Sequence, residues 1–178
     1  LIKAQCVQKL TSMPIIADDS GIEVEALDNK PGLHSARFAE SKGGYPNAMK
    51  TIIEATKEKN NTNARFVCDI VLLNVDDKPL LFEGIANGHI ASQANGASGF
   101  GYDPIFFYDE LGKTFAELTQ EEKNKVSHRA RALKKLLTYL KINQLIKWRY
   151  RLRIDLNAKW IIIQIKPQNN VTPAPIKK

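Results

Sequence analysis

The stretch from Ala64 to Gln93 limits what this chain can fold into more than any other. Residues 64 to 75 (ARFVCDIVLLNV) are rich in β-formers and become apolar on both faces, the pattern of a central strand. Asp76, Asp77, Lys78 and Pro79 supply a turn. A second long strand is predicted over about Leu80 to Gln93, with Gly84 and Gly88 as candidate bulge or kink sites. Such a pair forms a long hairpin.

The chain has 178 residues, enough for one domain with a genuine core. Its 43% hydrophobic and 25% charged residues point to neither disorder nor a fibrous repeat. Cys6 and Cys68 have no CxxC spacing and no His cluster, which argues against a disulfide framework or a structural zinc; both are expected as small core residues. The aliphatic runs are short, as at Ile161 to Ile163, so no membrane span is expected, and without a leader pattern the protein is expected to be cytoplasmic. The net charge of +7 is unevenly placed: residues 1 to 140 carry 17 Lys and Arg against 18 Asp and Glu, whereas residues 141 to 178 carry 9 against Asp155 alone. The basicity therefore belongs to the tail and says nothing about the surface of the main domain, so nucleic acid is not expected as its partner. Two regions follow, a domain at 1–140 and a basic appendage at 141–178, with Trp148 and Trp160 as the strong packing candidates of the latter.

Along the domain, LIKAQCVQKLTS reads as the end of a helix. Pro14 to Ala17 and Ile22 to Ala26 read as two strands meeting at a turn made by Asp18, Asp19, Ser20 and Gly21. Asn29 to Tyr45 reads as loop, Pro46 to Lys59 as helix, and Pro104 to Phe107 as a brief strand. Thr119 followed by Glu122 signals a capping box. Val126, Ala130, Leu133, Leu137 and Leu140 form a stripe at helical spacing, with His128 nearly opposite. A straight helix would aim Lys123, His128 and Arg129 in different directions, so a short turn at 119–124 and a main helix from a Ser127 cap to Leu140 are predicted.

Three clusters carry chemistry. Asp18 and Asp19 are adjacent carboxylates whose repulsion needs a cation, and Mg²⁺ on a polyphosphate is the usual relief; a solvated turn would use the same residues. In SGFGYDP (98–104) the glycines admit a ligand to the backbone, Phe100 and Tyr102 can stack on a base, and Asp103 can accept hydrogen bonds; a bent strand end with core aromatics would look alike. Lys123, Ser127, His128 and Arg129 set donors around a helix start, where anions and carbonyl oxygens are favoured, although a solvated helix face has the same composition. His34 and His89 have no supporting neighbours and read as structural.

Taken jointly, PIIADDSGIEVEAL, PGLHSARFA, GFGYDPIFF and FAELTQEEKNKVSHRARAL resemble the inosine/xanthosine triphosphate pyrophosphatase family, the RdgB-like dITP/XTP pyrophosphatases, over roughly residues 1 to 140. The resemblance implies an α/β fold with a long twisted mixed β-sheet flanked by helices. It implies Mg²⁺-dependent hydrolysis of dITP, ITP and XTP between the α and β phosphates, usually in a homodimer. By motif, Asp19 matches the general base and metal ligand, and Ser20 a neighbouring substrate contact. Phe100, Gly101, Tyr102 and Asp103 match the base-binding loop, Lys123 a nucleotide contact, and His128 with Arg129 the base-recognising pair. Lys3 resembles the lysine that faces the phosphates. An aspartate is ordinarily ionised near neutral pH, which suits both roles given to Asp19.

Family members also carry a leading strand and a Ser/Thr-Gly-Asn loop with a Lys, then an acidic metal partner, and none of these precedes Leu1. An N-terminally incomplete domain is therefore expected. Two other outcomes remain open from sequence: an inactive nucleotide-binding remnant, and nucleic-acid binding through the tail.

Overall fold

The computed structural model describes residues 1–142. The predicted appendage from residue 143 onward, with Trp148 and Trp160, lies outside the described residues.

Six strands form one sheet in the order β2-β1-β3-β4-β5-β6. They are β1 (Ile15–Val24), β2 (Lys30–Gly32), β3 (Asn63–Leu73), β4 (Leu80–Ile90), β5 (Phe106–Tyr108) and β6 (Lys113–Thr114). The helices are α1 (Ile2–Gln8), α2 (Ser35–Ser41), α3 (Tyr45–Glu58), α4 (Gln120–Val126) and α5 (His128–Ile142). The class is α/β, and the predicted hairpin is present as β3 and β4, paired from Asn63↔His89 to Leu72↔Leu80.

Four expectations are corrected. The sheet is not mixed: every pairing among the described residues is antiparallel. Tight turns reverse the chain between β3 and β4 and between β5 and β6, while α2 and α3 return it so that the start of β3 at Ala64 meets the end of β1 at Val24. The acidic pair sits within a continuous strand, because β1 is in register with β3 along its whole length. That ladder satisfies backbone groups a turn would expose, and it overrides the turn preference of Asp, Ser and Gly. Asn29 to Tyr45 is not all loop but contains β2 and α2. Finally, Gly84 and Gly88 lie in an unbroken ladder without a bulge. Gly84 is where α5 touches the sheet: a Cβ there would run into the His128 carbonyl and the Ala132 nitrogen.

One sheet face carries most of the core. Ile22, Val24, Phe66, Ala86 and Ile90 pack with Phe106, Phe115 and the Ala48/Ile52 side of α3. Further along the same face, Cys68, Ile70 and Leu72 meet Ala132 and Leu136 of α5. A fully buried phenylalanine such as Phe115 contributes roughly 2–3 kcal/mol of transfer free energy. On the opposite face α1 covers one end, where its Ala4 packs on Ile15, Val71 and Leu73, whereas Arg65, Leu81 and Glu83 of that face are exposed. Cys6 faces away from that contact and is exposed, contrary to expectation, whereas Cys68 is buried.

The capping box forms as predicted, with Thr119 Oγ1 accepting from Glu122 N–H and Glu122 accepting from Thr119 N–H. Ser127 separates α4 from α5 and its Oγ accepts from Ala130 N–H. The buried face of α5 is His128, Ala132 and Leu136. The predicted stripe was misphased, since Leu133 and Leu137 are exposed.

Candidate functional site

From Ile15 to Gly21, β1 pairs with β3 on one side, while β2 pairs only with Ile22, Glu23 and Val24. Among the described residues the other edge of this segment is open. Side chains from both faces of the strand thus flank one strip of edge.

Alternation along the strand sends the adjacent aspartates to opposite faces. On the α1 side, Asp19 Oδ1 lies 3.1 Å from Lys3 Nζ, with both side chains about half exposed. The same ammonium donates to the Asp18 carbonyl at 3.5 Å. On the α5 side, Arg129 Nε donates to Asp18 Oδ2 at 2.9 Å and Arg129 Nη2 donates to Ser20 Oγ at 3.1 Å. The repulsion inferred for the acidic pair is relieved by giving each carboxylate its own cation on its own face.

Asp69 is directly opposite Asp19 in the β1–β3 register and Glu83 directly opposite Asp69 in β3–β4, so three carboxylates share a row on the α1 side. Burial, then the Glu83 and Asp19 charges, push the Asp69 carboxyl above the usual range. Sequence reading passed over Asp69; its signal was one acid inside the otherwise apolar run FVCDIVLL.

A groove of about 640 Å³ runs between the 98–103 loop and the junction of α4 with α5, lined by Phe100, Gln120, Lys123, His128, Arg129 and Leu133 among others. Phe100 is 64% exposed at its mouth. Lys123 Nζ lies 5.2 Å and the Arg129 guanidinium 5.8 Å from the Phe100 ring centroid. Asp103, 2% exposed, builds this loop from beneath. Its Oδ2 accepts from the Phe100 N–H at 2.7 Å and pairs with the Lys123 ammonium. Gly99 sits at φ +84°, and a Cβ there would collide with that carboxylate. Tyr102 is turned inward, its hydroxyl donating to the Ser35 carbonyl at 2.9 Å and its ring edge-on to Tyr45. Burial pushes its phenol up.

His128 stacks on Phe66 with centroids 4.7 Å apart and 13° between planes, and is 4% exposed. Burial, then the Arg129 and Lys123 charges, lower its pKa from 6.5 to about 3, so the imidazole is neutral at physiological pH. Its Nδ1 is buried with no hydrogen-bond partner among the described residues. The helical wheel had placed this ring on the solvent side, and the α5 seat at Gly84 is the reason it is not.

The structure therefore brings the sequence-selected residues into two groups. Lys3, Asp19 and Ser20 stand at the β1 edge; Phe100, Lys123, His128 and Arg129 stand around the groove. Arg129 joins the two. Gly101, Tyr102 and Asp103 form the back of the loop, with the latter two buried. Asp18, read from sequence only as the partner of Asp19 in the acidic pair, is the residue that ties Arg129 to β1.

The chain matches the Ham1 family over residues 1–139. It belongs to the Ham1 family. Among relatives of this Ham1-family chain, a dITP/XTP pyrophosphatase of Halalkalibacterium halodurans is 45% identical over 142 residues, covering 78% of this chain and 73% of the relative. Another, from Bacillus subtilis, is 44% identical over 138 residues, covering 76% and 70%. A solved HAM1 protein from Coxiella burnetii superimposes with a TM-score of 0.74 at 39% identity, covering 79% of this chain and 74% of that one. The Staphylococcus aureus Ham1 protein gives 0.74 at 36% identity, covering 79% and 73%. The span matched to the Ham1 family contains every site residue described above.

Proposed function

We propose that this Ham1-family chain hydrolyses non-standard purine nucleoside triphosphates, dITP, ITP and XTP, to the monophosphate and pyrophosphate, and so clears them from the nucleotide pool. The observation that carries the reading is the junction at residues 18 to 20, where the half-exposed Asp19 carboxylate and the Lys3 ammonium at a strand edge adjoin a groove lined by Phe100, Lys123 and Arg129. The names of its relatives agree with that chemistry. A neutral imidazole and a guanidinium beside an exposed aromatic ring suit a purine with a 6-oxo acceptor, and adenine presents an amino donor at the same position. Neither an inactive remnant nor nucleic-acid binding through the tail is favoured.

Asp19 accepts a proton from water as the water oxygen attacks the α phosphorus. The bond from that phosphorus to the bridging oxygen breaks, and pyrophosphate leaves. Lys3, 3.1 Å from Asp19, faces the phosphate charge. The donor set at this point suits Mg²⁺, which takes hard oxygens and is commonly held by one or two carboxylates with substrate phosphates. Among the described residues no group of three or more His, Cys, Asp or Glu side chains gathers as ligands, so Asp19 with the triphosphate would hold the ion. Bound there, Mg²⁺ supplies neutralisation of the developing charge. No helix among the described residues is long and apolar enough to cross a membrane. A cytoplasmic homodimer is part of the same proposal.

The test is product analysis with Mg²⁺ across dITP, ITP, XTP, GTP and ATP. Pyrophosphate released from the first three, far faster than from GTP and ATP, supports the reading. Orthophosphate as the product, or equal turnover of all five, contradicts it.

A further inference from the structure

We propose that Asp18 is a positioning residue for purine discrimination, acting by holding the Arg129 guanidinium at the mouth of the groove. The proposal rests on the pyrophosphatase reading above and adds to it a residue with no role in the hydrolysis itself.

Arginine presents five N–H donors in a rigid fork. In Arg129 the Nε donates to Asp18 Oδ2 and Nη2 donates to Ser20 Oγ, which are two residues apart on one face of β1. Among the described residues Nη1 has no protein partner, so its two donors and the second hydrogen of Nη2 remain for a ligand. The guanidinium carbon stands over the Phe100 ring, 5.8 Å from its centroid, so its free donors border the face on which a base would stack. The Asp18 and Arg129 side chains are 18% and 29% exposed, so the pair is shielded enough to fix geometry. An arginine without this clamp regains rotamer freedom and can donate to many edges, which lowers the difference between matched and mismatched purines.

The position of the clamp has a second consequence. Asp18 and Asp19 are consecutive on β1, so one strand segment carries the proposed base on the α1 face and the anchor of the base reader on the α5 face. Any shift of this segment moves both together, which couples where the purine sits to where water attacks.

The experiment compares Asp18→Asn, Arg129→Ala and the double variant with the parent protein, measuring kcat and KM for ITP and GTP, and ITP and GTP affinity by calorimetry without Mg²⁺. Turnover of ITP by the parent protein checks the underlying reading first and separately. Asp18→Asn is expected to lower the ITP-over-GTP ratio of kcat/KM about ten-fold, mainly through KM for ITP, as expected when a charged hydrogen bond is weakened. In the Arg129→Ala background the same change should leave that ratio unaltered, because its route is gone. If Asp18→Asn does not fold, Asp18→Glu, which keeps the charge and displaces the guanidinium by one methylene, should show the same loss. An unchanged ratio in the single variant, or a full loss persisting without Arg129, overturns the proposal.

Discussion

Arg129 Nε and Asp18 Oδ2, 2.9 Å apart in space and 111 residues apart in sequence, fasten the start of α5 to the middle of β1. Removing the arginine leaves a largely buried carboxylate without its main donor. Arg129→Ala should therefore lower unfolding free energy by about 1–3 kcal/mol. Denaturant titration measures it, and a value within error of zero would mean that solvent replaces the pair.

His128 makes stability depend on pH. Its folded pKa of about 3 lies below the ordinary 6.5, so the unfolded state binds the proton more readily. Stability is complete above pH 6.5 and is lost as pH falls through the window down to about 3. At pH 5 the loss from this group should be about 2 kcal/mol relative to pH 7.5. His128→Phe removes it, so the two proteins' pH profiles should diverge below pH 6.5. Parallel profiles would show that the ring is solvated.

How much of this was legible in the sequence differs from element to element. The β3–β4 hairpin and the α4 capping box were readable because their signals are local: turn residues between apolar runs, and a Thr three residues before a Glu. DDSG was misread as a turn because its composition is that of one, and only the distant register with β3 makes it strand. α5 was misphased because Leu133 and Leu137, which look like core, line the groove, while a histidine takes the buried place on Phe66. The candidate site residues were selected by motif. The split of Asp18 and Asp19 to opposite faces, and the anchoring of Arg129, depend on contacts that no spacing reveals.

Gly84 tests the seating of α5. Gly84→Ala places a methyl against the His128 carbonyl and the Ala132 nitrogen, which are backbone and cannot swing aside. An overpacking penalty of about 1–3 kcal/mol is expected, with a larger rise in KM for ITP than in a surface control, because His128 and Arg129 move with the helix. Unchanged stability and KM would place the helix farther from the sheet.

Phe100 offers the opposite case. Its ring is 64% exposed, so Phe100→Ala should shift stability by less than about 0.5 kcal/mol. Loss of a base-stacking platform should nonetheless raise KM for ITP by roughly 5- to 150-fold, for about 1–3 kcal/mol of stacking. Steady-state kinetics with ITP decide it: an unaltered KM removes Phe100 from the base site.

The most direct measurement of the central claim is pyrophosphate release from dITP and Mg²⁺ by the protein and by Asp19→Asn. Nucleotide affinity should stay within a few-fold, while kcat falls by at least roughly 10²-fold, because the proton acceptor and the proposed metal ligand are lost together. Near-normal turnover in Asp19→Asn would contradict the account.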